Sequence, residues 1–276
     1  MKRSLLALLT LLTITVFAQN EPTERAKPIV EEGKRLYRSE MASWYGTDLF
    51  LERYKEGANI GGYFSYDDNG VEKCIFFSKG DKPKVIGTIS FDSTFSTRTA
   101  KTDLTERELT SGEGDIYAIR KIALATINSD TLFKRYKNTS FNLIPMIHGG
   151  EKKVFVLTGP QQSGVVIFGN DYLLTFDNNN NLVERKQLHR NIISINYDEK
   201  DKDGIAVHSH LPETGDFITA TDICTLMLYE KFAKWKQHNV VSKDYLSIWN
   251  CKTDNLIVLP MSVVDKINKD QQKKKE

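Results

Sequence analysis

The sequence is poor in cysteine, with only Cys74, Cys224 and Cys251 in 276 residues. Three thiols exclude a disulfide scaffold; they allow one internal bridge at most and leave one thiol over. Cys224 lies in an apolar helical pattern, where a buried, inert thiol is expected. An excess of charge of one sign is missing as well, since 38 Lys and Arg stand against 36 Asp and Glu. A chain so nearly neutral has no net field to recruit nucleic acid, and no such partner is expected. There is no apolar run of the about 20 residues that a membrane-crossing helix needs. Internal repeats, long linkers and a nucleophile elbow are absent. The Gly159, Pro160, Gln161, Gln162, Ser163, Gly164 stretch lacks the Lys-Ser/Thr pair of a phosphate loop and reads as a hairpin turn.

What is present begins with the first 18 residues. Lys2 and Arg3 supply a positive start, residues 5–16 an uncharged apolar stretch, and Val16, Phe17 and Ala18 a small-x-small cleavage pattern before Gln19. This is the pattern of a cleavable secretory signal peptide. Gln19 is not the Cys that a lipid anchor needs. The expectation is therefore a soluble periplasmic or secreted protein with no membrane span after cleavage. Loss of Lys2 and Arg3 leaves 36 basic against 36 acidic residues.

Val30, Tyr37, Met41 and Trp44 recur at helical spacing, which predicts a helix over about 24–50. Strand texture follows on both sides of Asn69-Gly70, a hairpin turn, and again at 85–91. Asp103, Leu104, Thr105 and Glu106 form a cap-like start to a second helix, with Ile116, Ile119, Ala123 and Ile127 as its buried stripe. Strands are predicted at 154–157, 164–168, 172–176, 182–188, 192–197, 205–210, 245–249 and 256–259, with a charged loop at 198–203 and a helix over 220–236. This irregular alternation predicts an α+β fold: an N-terminal helix and a mainly antiparallel or mixed sheet with helices packed on it. Pro145 and Gly149-Gly150 break the pattern, so regions 19–145 and 146–264 are expected, with one domain over 19–264 as the alternative. Residues 265–276, with Lys273, Lys274 and Lys275, are polar without an apolar stripe and are predicted to be a disordered basic tail.

One stretch could carry chemistry. On a strand, Ala206, His208 and His210 share a face, because side chains alternate with period two. Two imidazoles on one face can share a metal ion, and Zn2+ needs at least one more protein ligand. Asp222, in the first turn of the next helix, is the nearest candidate. Thr219-x-x-Asp222 is also an ordinary capping box, and a His-x-His pair is commonly structural.

His208-Ser209-His210, followed by Thr219-Ala220-Thr221-Asp222, resembles the signature of the JAMM metalloproteases of the JAB/MPN fold. That signature is His-x-His-Pro, seven residues between the second His and a Ser, then x-x-Asp. Leu211 before Pro212 makes the loop one residue longer here, and Thr219 stands where the family has Ser. The resemblance implies zinc held by His208, His210 and Asp222, with Thr219 orienting the intermediate. It also implies a general base, for which Glu151 and Glu213 are the candidates, although Glu151 lies in a segment without the inner glycine of the family's glutamate motif. A protein of this kind would be a zinc-dependent amide or isopeptide hydrolase, or an inactive relative that holds the metal. The rival expectation is a non-enzymatic exported protein that binds an unidentified protein or peptide partner, with the histidines as packing or surface groups.

Overall fold

The helical periodicity of the N-terminal region belongs to a single long helix, α1 (Lys2–Arg53), in the computed structural model, which describes residues 2–198 and 204–274, with side chains from Glu21 onward. After a 3-10 turn at Gly57–Asn59 come β1 (Ile60–Asp68), β2 (Val71–Ser78), β3 (Val85–Phe91), β4 (Lys101–Asp103) and α2 (Ser111–Ser129). They are followed by β5 (Thr139–His148), β6 (Glu151–Pro160), β7 (Val165–Gly169), β8 (Tyr172–Phe176), β9 (Leu182–Gln187) and β10 (Ile192–Asn196). The last part comprises β11 (Gly204–Ser209), α3 (Ala220–Ala233), β12 (Trp235–Val241), β13 (Tyr245–Asn250), β14 (Asn255–Pro260) and α4 (Met261–Lys273). Among the described residues no helix is long and apolar enough to cross a membrane. The architecture is α+β, and the expected loop at 198–203 lies, apart from Asp198, outside the described residues.

The elements form two units, Arg35–Asn196 and, from the two ends of the chain, Met1–Lys34 with Tyr197–Glu276; α1 contributes to both. The expected boundary near 141–150 is not where the chain divides. Pro145 sits inside β5 opposite Val154 of β6, and Gly149 and Gly150, both at positive φ, close the hairpin between these strands. The signals taken for a boundary are those of a tight turn.

The central unit holds two antiparallel sheets, ordered β1-β2-β3-β4 and β5-β6-β8-β9, and a β7/β10 ribbon. Alternation along β2 sends Cys74 and Phe76 to one face, where they pack with Ala42 and Phe50 of α1. The other face carries Ile75 and Phe77 and packs on Ile116 of α2. Farther along α2, Ile119, Ala123 and Ile127 lie against Val154, Val156, Tyr172 and Leu174 of the second sheet. The stripe read from the sequence is thus shared between two cores, which is why it extends over three turns.

The start of α2 is a correction. The helix begins at Ser111, because the backbone of Arg107 is hydrogen bonded to Val85 in both directions and holds residues 103–107 extended. Thr110 and Glu113 then make a complete capping box. The segment from residue 265 is another: it is helical in α4 as far as Lys273, with no buried residue, where a disordered tail was expected. The three cysteines are buried and form no disulfide among the described residues.

Glu113 is buried and accepts hydrogen bonds from Arg107, from the Thr110 amide and from the Tyr66 hydroxyl. Burial alone would raise its carboxyl; these donors together hold it at about 2 instead. A depressed carboxyl contributes stability that is complete above its ordinary value of 4.5 and is lost as pH falls toward 2. In denaturant titrations, the stability advantage of the wild type over Glu113→Gln is expected to shrink progressively between pH 4.5 and 2. A pH-independent difference would contradict this account of the cap.

Candidate metal centre

In the unit built from the chain ends, β11, β12, β13 and β14 form one sheet in that order, with β11 parallel to β12 and the remaining pairs antiparallel. A parallel pair needs a crossover, and α3 supplies it. Burial follows the β11 alternation in an unusual sense: Ile205 and Val207 are 64% and 59% exposed, while His208 points inward. His210 lies one residue past the strand, but its N–H still donates to the Val241 carbonyl at 2.8 Å, so pairing with β12 continues and its ring stays on the His208 side. The expectation of two imidazoles on one face is met.

The chain then turns at 211–214, where the Thr214 N–H donates to the Leu211 carbonyl. Ile218, fully buried, is anchored by its N–H to Ser247 Oγ at 3.1 Å. This brings Thr219 to the N-cap of α3. The Asp222 N–H donates to Thr219 Oγ1 at 3.1 Å, and the Thr219 N–H donates back to Asp222 Oδ2 at 2.9 Å. The Thr219 hydroxyl donates to the same Oδ2 at 2.7 Å. The capping box is therefore real, and the carboxylate that closes it also faces the histidines. A close approach fixes α3 from its other side: a Cβ on Gly33 of α1 would meet Ile223 Cβ at 2.7 Å and the Ala220 carbonyl oxygen at 2.9 Å.

The donor atoms converge. His208 Nε2 and His210 Nε2 are 3.2 Å apart, His210 Nε2 is 3.1 Å from Asp222 Oδ2, and His208 Nε2 is 3.6 Å from Asp222 Oδ1. The side chains of His208, His210 and Asp222 are 2%, 0% and 1% exposed. Ligands at 2.0–2.1 Å from a tetrahedral zinc stand about 3.3–3.4 Å from one another; the separations here are close to that, with His210 facing one oxygen of Asp222 and His208 the other. Two N–H groups cannot face each other across 3.2 Å, so at least one of the two Nε2 atoms presents a lone pair to the space between them.

Behind His208 stands His238 of β12, completely buried, with Nε2 2.8 Å from His208 Nδ1. Burial, with the neighbouring His208 adding to it, pushes the His238 imidazole down to about 3, so the ring is neutral at physiological pH. His238 is the buried neighbour of the cluster that sequence reasoning missed. The helix expected to reach residue 236 ends at Ala233, where Lys234 takes a left-handed conformation, and β12 begins at once with Trp235. The Val240-Val241 pair ahead of the Ser242, Lys243, Asp244 turn was the available strand signal.

The remaining candidates are placed differently. Glu151 opens β6 in the central unit, exposed and paired with Lys153 at 2.6 Å, which holds its carboxyl below the ordinary range. Glu213 lies exposed in the turn directly after His210. Comparison with family models, curated proteins and solved structures yields no match. The likeness to the JAMM signature therefore rests on the motif residues, of which the fold brings His208, His210 and Asp222 within 3.6 Å of one another.

Thr219→Ala removes the hydroxyl that donates to and accepts from Asp222. Its expected effect on the metal-stripped protein is a loss of about 1 kcal/mol, within the usual range for an N-cap, read by chemical denaturation in the presence of chelator. An unchanged midpoint would show that the box does not hold the start of α3.

Proposed function

We propose that the chain is a zinc-binding protein that holds one ion through His208, His210 and Asp222, and that amide or isopeptide hydrolysis is the reaction of that centre. The observation that carries the reading is the clustering of three buried side chains from two different parts of the fold, two imidazoles and a carboxylate, with nearest separations of 3.1 to 3.6 Å. Imidazole and carboxylate suit zinc, and three protein ligands leave a tetrahedral ion one further position, the arrangement of catalytic rather than closed structural sites. Zinc so held supplies Lewis-acid polarisation of a carbonyl and activation of water near neutral pH. Within the reading, Thr219 orients the reacting group through the cap, and Glu213 takes the part of general base. Glu151, held ionised and solvated by Lys153, is the weaker candidate of the two glutamates. The same proposal includes export: cleavage after Ala18 leaves α1 intact from Gln19 to Arg53.

Protein purified without chelator is expected to carry close to one zinc per chain by elemental analysis. The double change His208→Ala, His210→Ala is expected to abolish it. Because an ion that binds only the native state stabilises it by RT ln(1 + [L]/Kd), about 4 kcal/mol at a thousandfold excess over Kd, chelation should lower the melting temperature of the wild type and leave the double variant unmoved. A wild type with no stoichiometric zinc and no chelator response would leave the hydrogen-bonded network as a packing device. Hydrolysis is assayed on isopeptide and peptide substrates with the zinc-loaded protein, where Glu213→Gln should lower kcat at least a hundredfold while zinc content is retained. Mass spectrometry of the exported protein should find a terminus at Gln19, and an intact Met1 would overturn the export part alone.

A further inference from the structure

The placement of His238 bears on how the centre is loaded. A zinc ligand must offer a lone pair, and an imidazole that binds through Nε2 carries its proton on Nδ1. For His208 the two ring nitrogens look in opposite directions: Nε2 faces His210 and Asp222, and Nδ1 faces His238 Nε2 at 2.8 Å. One proton lies on that 2.8 Å line. If His208 supplies it, His208 Nε2 is a lone pair ready for metal; if His238 supplies it, His208 Nε2 keeps a proton and the site is blocked.

The parallel register makes the contact a property of the sheet. Ala206 pairs with His238 and His208 with Val240, so the two histidines are diagonal neighbours on the same face of β11 and β12. Ala206 is small enough to leave the diagonal open. His238 is completely buried and packs its ring 5.4 Å from that of Trp235, which limits the orientations open to it. Metal-bound histidines ordinarily donate their second N–H to a carboxylate or carbonyl; here another imidazole stands in that position.

We propose that His238 is the positioning residue of this centre: it accepts the Nδ1–H of His208, holds that ring in the tautomer whose Nε2 lone pair points at the metal position, and so sets zinc affinity without touching the ion. The proposal rests on the zinc reading above.

The test compares wild type, His208→Ala, His238→Leu and His238→Gln in the full chain. Zinc affinity is measured by competition with a chromophoric chelator, and the histidine tautomers of the metal-stripped protein by nitrogen-15 NMR. His238→Leu is expected to weaken zinc about 10–100-fold, the usual effect of removing a ligand's hydrogen-bond partner. His238→Gln, whose amide oxygen can accept the same proton, should recover most of that loss. In the wild type, His208 should appear as the Nδ1–H tautomer, and in His238→Leu as a mixture. If the wild type binds zinc, His208→Ala abolishes it, and His238→Leu and His238→Gln both bind as the wild type does, the positioning role is overturned while the zinc reading stands. If the wild type binds no zinc, the zinc reading falls, and the NMR decides the rest: an Nδ1–H His208 that depends on His238 supports the hydrogen bond as drawn, and an Nε2–H His208 overturns it. Should His238→Leu fail to fold, His238→Gln and the wild-type tautomer still decide the matter.

Discussion

The Asp222 carboxylate is both the start of α3 and the meeting point of the imidazoles. Its Oδ2 closes the capping box with Thr219 while standing 3.1 Å from His210 Nε2, so the first turn of the helix and the direction of the carboxylate are set by the same hydrogen bonds. A helix N-terminus is a place where negative charge is favoured. That favours an anionic ligand here and keeps its oxygens aimed at the end of β11. Loosening the cap would therefore loosen the centre, and the conventional reading of Thr219-x-x-Asp222 as a cap does not compete with the metal reading.

The sheet pays for this arrangement by turning two branched apolar side chains of β11 to solvent. Ile205 and Val207 are exposed so that His208 can be buried on the opposite face, which reverses the usual preference of a half-buried strand. Buried imidazoles without partners would be strongly unfavourable. His208 is instead held between His238 on one side and His210 with Asp222 on the other. His210 in turn faces Asp222, so the buried imidazoles and the carboxylate form one continuous polar cluster.

Much of this was legible from residue pattern alone. The Asn69-Gly70 hairpin, the α2 stripe and the shared face of His208 and His210 all follow from local periodicity, and the fold retains them. What escaped the pattern depends on long-range pairing. Pro145 and Gly149-Gly150 punctuate any sequence strongly, and only the partner strand β6 shows that they bend a hairpin within one sheet. Trp235, Lys236 and Gln237 have no strand alternation of their own; β12 exists because it lies between β11 and β13, and His238 was hidden with it. Residues 265–273 carry no apolar stripe, since α4 buries no residue, so nothing in their pattern distinguishes an exposed helix from a tail.

The unit that bears the imidazoles is assembled from opposite ends of the chain, with Gly33 against α3 and Thr23 hydrogen bonded to Val258 of β14. Synthesis delivers residues 1–34 first and their partners only after the whole central unit has been made. The central unit, contiguous in sequence, can close on its own while the N-terminal helix waits; the histidine unit cannot begin until β14 is available. Contacts of such long sequence separation close a larger loop than those within the central unit's hairpins. The placement of α3, and with it of Asp222, thus answers to Gly33, a residue far earlier in the chain, so a side chain added there would be felt at the carboxylate as directly as a change beside it.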